Sequence, residues 1–331
     1  MKSGNLAGLL QAFFTDRLMH QRRASPHTIA SYRDTFRLLL GFAQQHIKKA
    51  PAVLTIKDLD APFISAFLDH LERDRGVSVR SRNVRLAAIH SFFRYVALEE
   101  PSHVAVTQRV LAMPTKRYTR RQVEFLSRSE VQVLLAAPDR ARWAGRRDHA
   151  LLLLAVQTGL RCSELTGLQV QHLSLGSGAH VRCVGKGRKE RCTPLLKDTA
   201  GVLRAWIRER GGSETDPLFP STRGGLLGRD GVQDIVAKHV ATARLHCASL
   251  KKKRVTPHVL RHSAAMNLLQ HGVDRTVIAL WLGHESVETT QIYLDANLQM
   301  KEQALAKAGG PKARPDRFRP DDRLLAFLKR L

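Results

Sequence analysis

One short run limits what this chain can become. Met113-Pro114-Thr115-Lys116-Arg117-Tyr118-Thr119-Arg120-Arg121 holds a proline, little apolar content and four basic residues. On either side lie long stretches with clear hydrophobic periodicity. At 331 residues the chain is too long for one ordinary core and suits two domains. The run therefore reads as an interdomain linker, taken as residues 114–126, although an ordinary surface loop shares its composition. It divides a helical domain, residues 1–113, from a second domain, residues 127–308. A second break, Gly309-Gly310-Pro311 to Pro320, leads to a tethered terminal helix within residues 309–331.

The first domain reads as helices. Leu6, Leu9, Leu10, Phe13, Phe14 and Leu18 follow the helical period. Ser25-Pro26 is a capping serine followed by proline at a first helical position, and Ile29, Tyr32, Phe36, Leu39, Leu40 and Phe42 follow it. A third helix is predicted from about Pro62 to Arg75. A fourth starts near Ser78, carries Val84, Ala88, Phe92, Tyr95 and Val96, and stops before Pro101. The second domain opens on a capping box at Ser127-Arg128-Ser129-Glu130. His180–Val184 and Arg191–Leu195 alternate apolar and polar residues around Gly185-Lys186-Gly187-Arg188-Lys189, which predicts a hairpin. The fold class is mainly α with a small β-sheet or hairpin.

Charge narrows the partners. The formal net charge is +25, from 54 Lys+Arg against 29 Asp+Glu, and the excess runs along the whole chain. Such a field attracts a polyanion, usually nucleic acid; a ribosome-associated or membrane-surface protein is the blander alternative. A basic linker between two basic domains suggests a clamp on a duplex. The candidate DNA contacts are Lys116, Arg117, Arg120 and Arg121 in the linker, Arg188 on the hairpin, and the run Lys251-Lys252-Lys253-Arg254, which could equally be a solvated loop. The N-terminus lacks a signal pattern, and the longest apolar run, Ala150 to Val156, is far short of a membrane span. Four cysteines at 162, 183, 192 and 247 form no CxxC pair, so no zinc site is signalled and a reducing cytoplasm is expected, in contact with the nucleoid. Cys183 and Cys192 could face each other across the hairpin; two reduced thiols are the better reading.

Four segments carry side chains suited to attack on a phosphodiester, which needs a nucleophile, cationic donors to the phosphate oxygens and a proton for the leaving oxygen. Arg161, in Thr158-Gly159-Leu160-Arg161-Cys162-Ser163-Glu164-Leu165, sits where a turn enters a helix. Its planar fork can bind two phosphate oxygens, and Glu164 one turn on could orient it. An isolated pair at this spacing is usually a surface ion pair. Lys186 at the hairpin tip is a flexible point donor able to release a proton; alone, it would be a solvated turn. Thr256-Pro257 opens a helix on which His258 and Arg261 share a face. His258 and His262 have the spacing of a metal pair, but no Glu lies between them in the HExxH sense and the cysteines are placed elsewhere, so zinc is not expected. Leu282-Gly283-His284-Glu285-Ser286-Val287-Glu288-Thr289-Thr290-Gln291-Ile292-Tyr293 ends on a phenol. With a reference pKa near 10 it is a weak nucleophile until cations gather round it.

Together, and in this order, these segments resemble the tyrosine recombinases, the phage-integrase and Xer-like enzymes. Lys186 lies 25 positions after Arg161, and Tyr293 nine after His284. The resemblance covers about residues 5–308, is specific in the second domain and is architectural before residue 113. Val259 replaces the Asp or Leu that many relatives carry after His258. The resemblance implies a helical SAM-like core-binding domain joined to an α-rich catalytic domain with a small sheet, closing on double-stranded DNA at recombination sites. It implies Tyr293 as nucleophile, Lys186 as proton donor, Arg161, Arg261 and His284 as phosphate holders, His258 as an aid to proton transfer, and Glu164 in support. It also implies chemistry without metal, nucleotide or other cofactor and a homotetramer on two duplexes; the Tyr293 region with its following Leu-Asp-Ala-Asn resembles mobile-element integrases, which favours integration and excision over chromosome-dimer resolution or inversion. In the tail, Leu324, Phe327, Leu328 and Leu331 form an apolar face that must be buried on its own domain or on a neighbouring protomer. The rival readings are type IB topoisomerase-like relaxation, a non-catalytic DNA-binding protein on the same scaffold, and an RNA-binding module, for which no RRM or KH pattern appears.

Overall fold

A computed structural model of the chain describes residues 5–119, 123–185 and 190–283. The chain forms two compact units, Met1–Arg120 and Arg121–Leu331.

In the first unit, helix α1 (Leu6–Ala12) starts at Asn5, whose side-chain oxygen accepts from the Ala7 amide, and runs on as a π-helix over Phe13–Gln21. The widened turn seats Phe13, fully buried, among Phe14, Tyr32, Phe36, Phe92 and Tyr95. Helix α2 (Pro26–Ile47) is capped as its sequence suggests: Ser25 Oγ accepts from the Thr28 amide, and proline occupies the first turn. Helix α3 (Ala61–Arg73) ends two residues earlier than predicted, and α4 (Val79–Glu99) begins after its Ser78 cap. Leu86, Ile89, Phe92, Phe93 and Val96 form the packed face of α4, whereas Val84, expected on that face, is exposed. Helix α5 (Val104–Leu111), which the sequence did not announce, packs on α3 and α4 through Val110. The segment after it stays with this unit. Lys116 exchanges backbone hydrogen bonds with the Asn83 amide group (3.1 and 2.8 Å), and its ammonium pairs with Glu72 and Asp69.

In the second unit, Val123 and Phe125 pack near Met266 and Leu269, and the Leu126 amide donates to Ser263 Oγ at 2.8 Å. Both halves of the capping box form at the start of α6 (Arg128–Ala136). Helix α7 (Trp143–Thr158) is largely buried, between α6, α9 (Lys197–Arg210) and α11 (Pro257–Gln270). Between α7 and α9 come α8 (Cys162–Thr166) and an antiparallel sheet ordered β1 (Leu173–Ser174), β2 (His180–Val184), β3 (Glu190–Pro194). Cys183 pairs with Arg191, and Arg182 with Cys192, so the two cysteines lie on opposite faces of the hairpin; both are free. Burial pushes the Cys183 thiol up to about 11. Helices α10 (Arg229–His246) and α12 (Arg275–Leu282) complete the described part. One buried polar cluster joins α7 to α10: Asp148 accepts from Arg147 (2.7 and 3.0 Å) and from His239 Nε2 (2.8 Å), while Arg147 also reaches the Pro220 carbonyl.

Candidate active site

The site is organised around the C-terminal end of α12. Helix α7 ends at Gly159, with φ +65°; a Cβ there would lie 2.6 Å from Leu282 Cδ2 and 3.1 Å from the Ala264 methyl. Glycine is therefore what lets α7 finish against α11 and α12. Leu160 is buried, and Arg161 follows as the cap of α8. That helix has only five residues, so affinity for an anion rests on the Arg161 side chain more than on a helix dipole.

Three guanidiniums meet three consecutive carbonyls. Arg191 Nε donates to the Trp281 carbonyl at 3.2 Å, Arg261 Nη2 to Leu282 at 2.7 Å, and Arg161 Nη2 to Gly283 at 2.8 Å. These are the unsatisfied acceptors at the negative end of α12. Arg261, 4% exposed, also donates to the Gly159 carbonyl at 2.6 Å, and Trp281 Nε1 donates to Thr158 at 3.1 Å. His284 is the next residue in the chain.

Behind the carbonyls lies Glu164. Its carboxylate accepts from Arg161 Nη1 (2.9 Å) and the Arg161 amide (2.7 Å), and from both terminal nitrogens of Arg191 (2.9 and 2.7 Å). Burial alone would push its carboxyl up; the hydrogen bonds from Arg191 and from the Arg161 backbone and side chain outweigh that and hold it below its ordinary value. Arg161 has five N–H donors, and two of them are engaged among the described residues. With its side chain 31% exposed, it can still present a fork to a phosphate.

The other expected residues divide into groups. On α11, His258 is exposed and its ring meets that of His262 edge-on at 4.2 Å. Thr256 caps this helix and Pro257 fills its first turn. Arg117, Lys251, Lys252 and Arg254 are exposed. Lys253 departs from its run: its ammonium binds Glu130 (2.7 Å) and the Phe125 carbonyl (2.8 Å), so it braces the start of α6. Lys116 is likewise paired with Glu72 and Asp69. Lys186, Arg188, His284, Tyr293, Arg120, Arg121 and the tail lie outside the described residues. Among the described residues no group of three or more His, Cys, Asp or Glu could hold a metal ion.

Arg191 is the site residue that sequence reading missed. Its signal was present in the strand alternation: it follows the hairpin on the same face as buried Thr193 and opposite buried Cys183. An arginine on the inward face of a strand requires an anion, and Glu164 supplies it.

Residues 124–300 match the Phage integrase family, and residues 12–100 match the phage integrase N-terminal SAM-like domain. The chain belongs to the phage integrase family. This integrase is 61% identical over 330 residues to a Sinorhizobium fredii protein assigned by name to the integrases/recombinases, covering 100% of this chain and 99% of that one. It is 33% identical over 287 residues to the tyrosine recombinase XerD of Pseudomonas putida, covering 85% and 90%. Its fold is similar to that of the XerH site-specific recombinase bound to palindromic difH, with a TM-score of 0.69, 22% identity and 87% and 82% of the two chains covered. The integrase is thus a mainly helical tyrosine recombinase with a SAM-like first domain. It is an enzyme of DNA strand transfer whose activity is site-specific recombination.

Proposed function

We propose that this integrase cuts and rejoins DNA through a covalent 3′-phosphotyrosine, without metal or nucleotide. Tyr293 Oη attacks the scissile phosphorus. The bond to the 5′ oxygen breaks, and Lys186 supplies the proton that this oxygen takes. Arg161, Arg261 and His284 hold the non-bridging oxygens as charge builds on them, and His258 assists in moving the phenolic proton. A 5′-hydroxyl from the partner strand then attacks the phosphotyrosine and reverses the step. The energy of the broken bond stays in the intermediate, so no high-energy cofactor is needed.

One observation supports this reading above the others. Arg161 and Arg261, 100 positions apart in the sequence, converge on the end of α12 at the residues immediately before His284. The relatives and the XerH–DNA complex support double-stranded DNA with recombination sites as the partner. On this reading four protomers act on two duplexes inside the cell at the nucleoid, the cations of Arg117, Arg120, Arg121, Arg188, Lys251, Lys252 and Arg254 follow the backbone, and the element served is mobile DNA. Among the described residues no helix is long and apolar enough to cross a membrane.

The test uses duplexes from the DNA flanking the gene, nicked beside the candidate site so that the cleaved end diffuses away. Wild type and Tyr293→Phe are incubated with them in EDTA and run on a denaturing gel. A shifted protein–DNA band in wild type alone is expected. A band in both would move the nucleophile elsewhere, and a band only after magnesium is restored would end the metal-free reading.

A further inference from the structure

The two guanidiniums on Glu164 are not equivalent. Arg161 gives the carboxylate one terminal nitrogen, and 31% of its side chain is exposed. Arg191 grips both oxygens with a planar fork, and only 11% of its side chain is exposed. Facing inward, Arg191 is not placed to meet a duplex. Its Nε reaches the Trp281 carbonyl, so one side chain spans β3, α8 and α12.

The packing against Gly283 is equally close. A Cβ on Gly283 would lie 2.8 Å from Arg191 Nη1 and 3.2 Å from Cζ. The guanidinium therefore lies flush against the backbone whose carbonyl receives Arg161 Nη2. Among the described residues the Arg161 guanidinium is held at two points, Glu164 Oε1 and the Gly283 carbonyl, and Arg191 abuts both. A carboxylate gripped by a bidentate fork has one orientation, whereas a lysine in its place would offer a point charge that fixes none.

We propose that Arg191 is a positioning residue for strand transfer, acting through Glu164 and Gly283 to aim the Arg161 guanidinium at the scissile phosphate. The inference rests on the reading in which Arg161 holds that phosphate. Arg191 itself does not touch DNA. Its loss therefore slows cleavage without weakening DNA binding, and does so only where Arg161 has charge to neutralise.

The full-length chain and its Arg191→Lys variant are compared on the nicked duplex, with folding checked by near-UV circular dichroism and binding by gel shift. Single-turnover formation of the covalent complex is measured on the natural phosphate and on a methylphosphonate at the same position, whose phosphorus carries no anionic oxygen pair. Arg191→Lys is expected to bind as wild type does and to cleave the phosphate about 100-fold more slowly, the scale of a misplaced catalytic group. On the methylphosphonate most of that deficit disappears, as it does for Arg161→Ala. In an Arg161→Ala background, adding Arg191→Lys changes nothing further. Should Arg191→Lys fail to fold, Glu164→Gln breaks the same linkage and carries the same comparison.

A wild-type rate for the folded variant on phosphate would overturn the proposal, as would an equal deficit on both substrates, the mark of a purely structural role. A wild-type chain that forms no covalent complex would instead overturn the phosphotyrosine reading, and this inference with it.

Discussion

Asp148 shows how much a single side chain can hold in this protein. Its carboxylate is 1% exposed and faces Arg147 and His239, both buried. Burial works against its charge, but the hydrogen bonds from His239 and Arg147 outweigh burial and keep its carboxyl below the usual range. A depressed folded-state value contributes stability above the unfolded value, near 4, and that contribution is lost as pH falls through the folded value. Asp148→Asn should therefore cost about 3–5 kcal/mol at pH 7, because it leaves a buried cation unpaired. Thermal melts should show the gap between variant and wild type shrinking as the pH falls below 4; a gap of constant size would refute the assignment. Glu164 follows the same rule at the candidate site. At this scale the sequence spoke unevenly. Arg161 and Glu164 could be paired from spacing alone, since they share one helical turn, and His258 and Arg261 for the same reason. Arg191, 27 positions from Glu164, could not, because that contact exists only after the hairpin folds back on α8. Lys253 looked like its basic neighbours because nothing local tells that Glu130, 123 positions away, faces it.

Among the elements, the ends were the most legible parts. Ser25, Ser78, Ser127 and Thr256 cap helices as their sequences suggest, because a cap is a contact within three residues. The hairpin was legible from alternation, although β1 was not, being two residues long. The π-helical turn over Phe13–Gln21 was invisible, since it is set by where Phe13 must pack and not by local propensity. Helix α5 escaped notice because it is eight residues long and follows Pro101 within one short turn. The junction of α7, α11 and α12 carries its own prediction. Gly159→Ala must place a methyl where Leu282 Cδ2 and Ala264 already lie, on a backbone with φ +65°. It should cost about 1–3 kcal/mol in chemical denaturation. It should also slow cleavage, because the Gly159 carbonyl is an acceptor that helps hold Arg261. Unchanged stability would show that the junction can give way.

For the molecule as a whole, charge is the dominant property. A net +25 on 331 residues means that binding to DNA releases many counterions. If six or more phosphates are contacted, affinity should fall at least about 10³-fold between 50 and 200 mM salt. Gel shifts on a fixed duplex across that range test this, and a shallow slope would mean that most of the exposed cations, Lys251, Lys252 and Arg254 among them, stay off the backbone. The basic run after residue 113 does not itself say which side each of its residues joins; the two units divide at Arg120 and Arg121. Single contacts decide that, such as Lys116 with Asn83 and Leu126 with Ser263.

That last contact spans 137 positions, Glu130 to Lys253 spans 123, and Asp148 to His239 spans 91. Each ties an early segment of the second unit to a late one. During synthesis α6 and α7 therefore emerge with Glu130 and Asp148 lacking their distant partners, and closing such long loops carries its entropy before any contact rewards it. Until those partners are made, the last of them Ser263, these early segments stay partly solvated behind the ribosome.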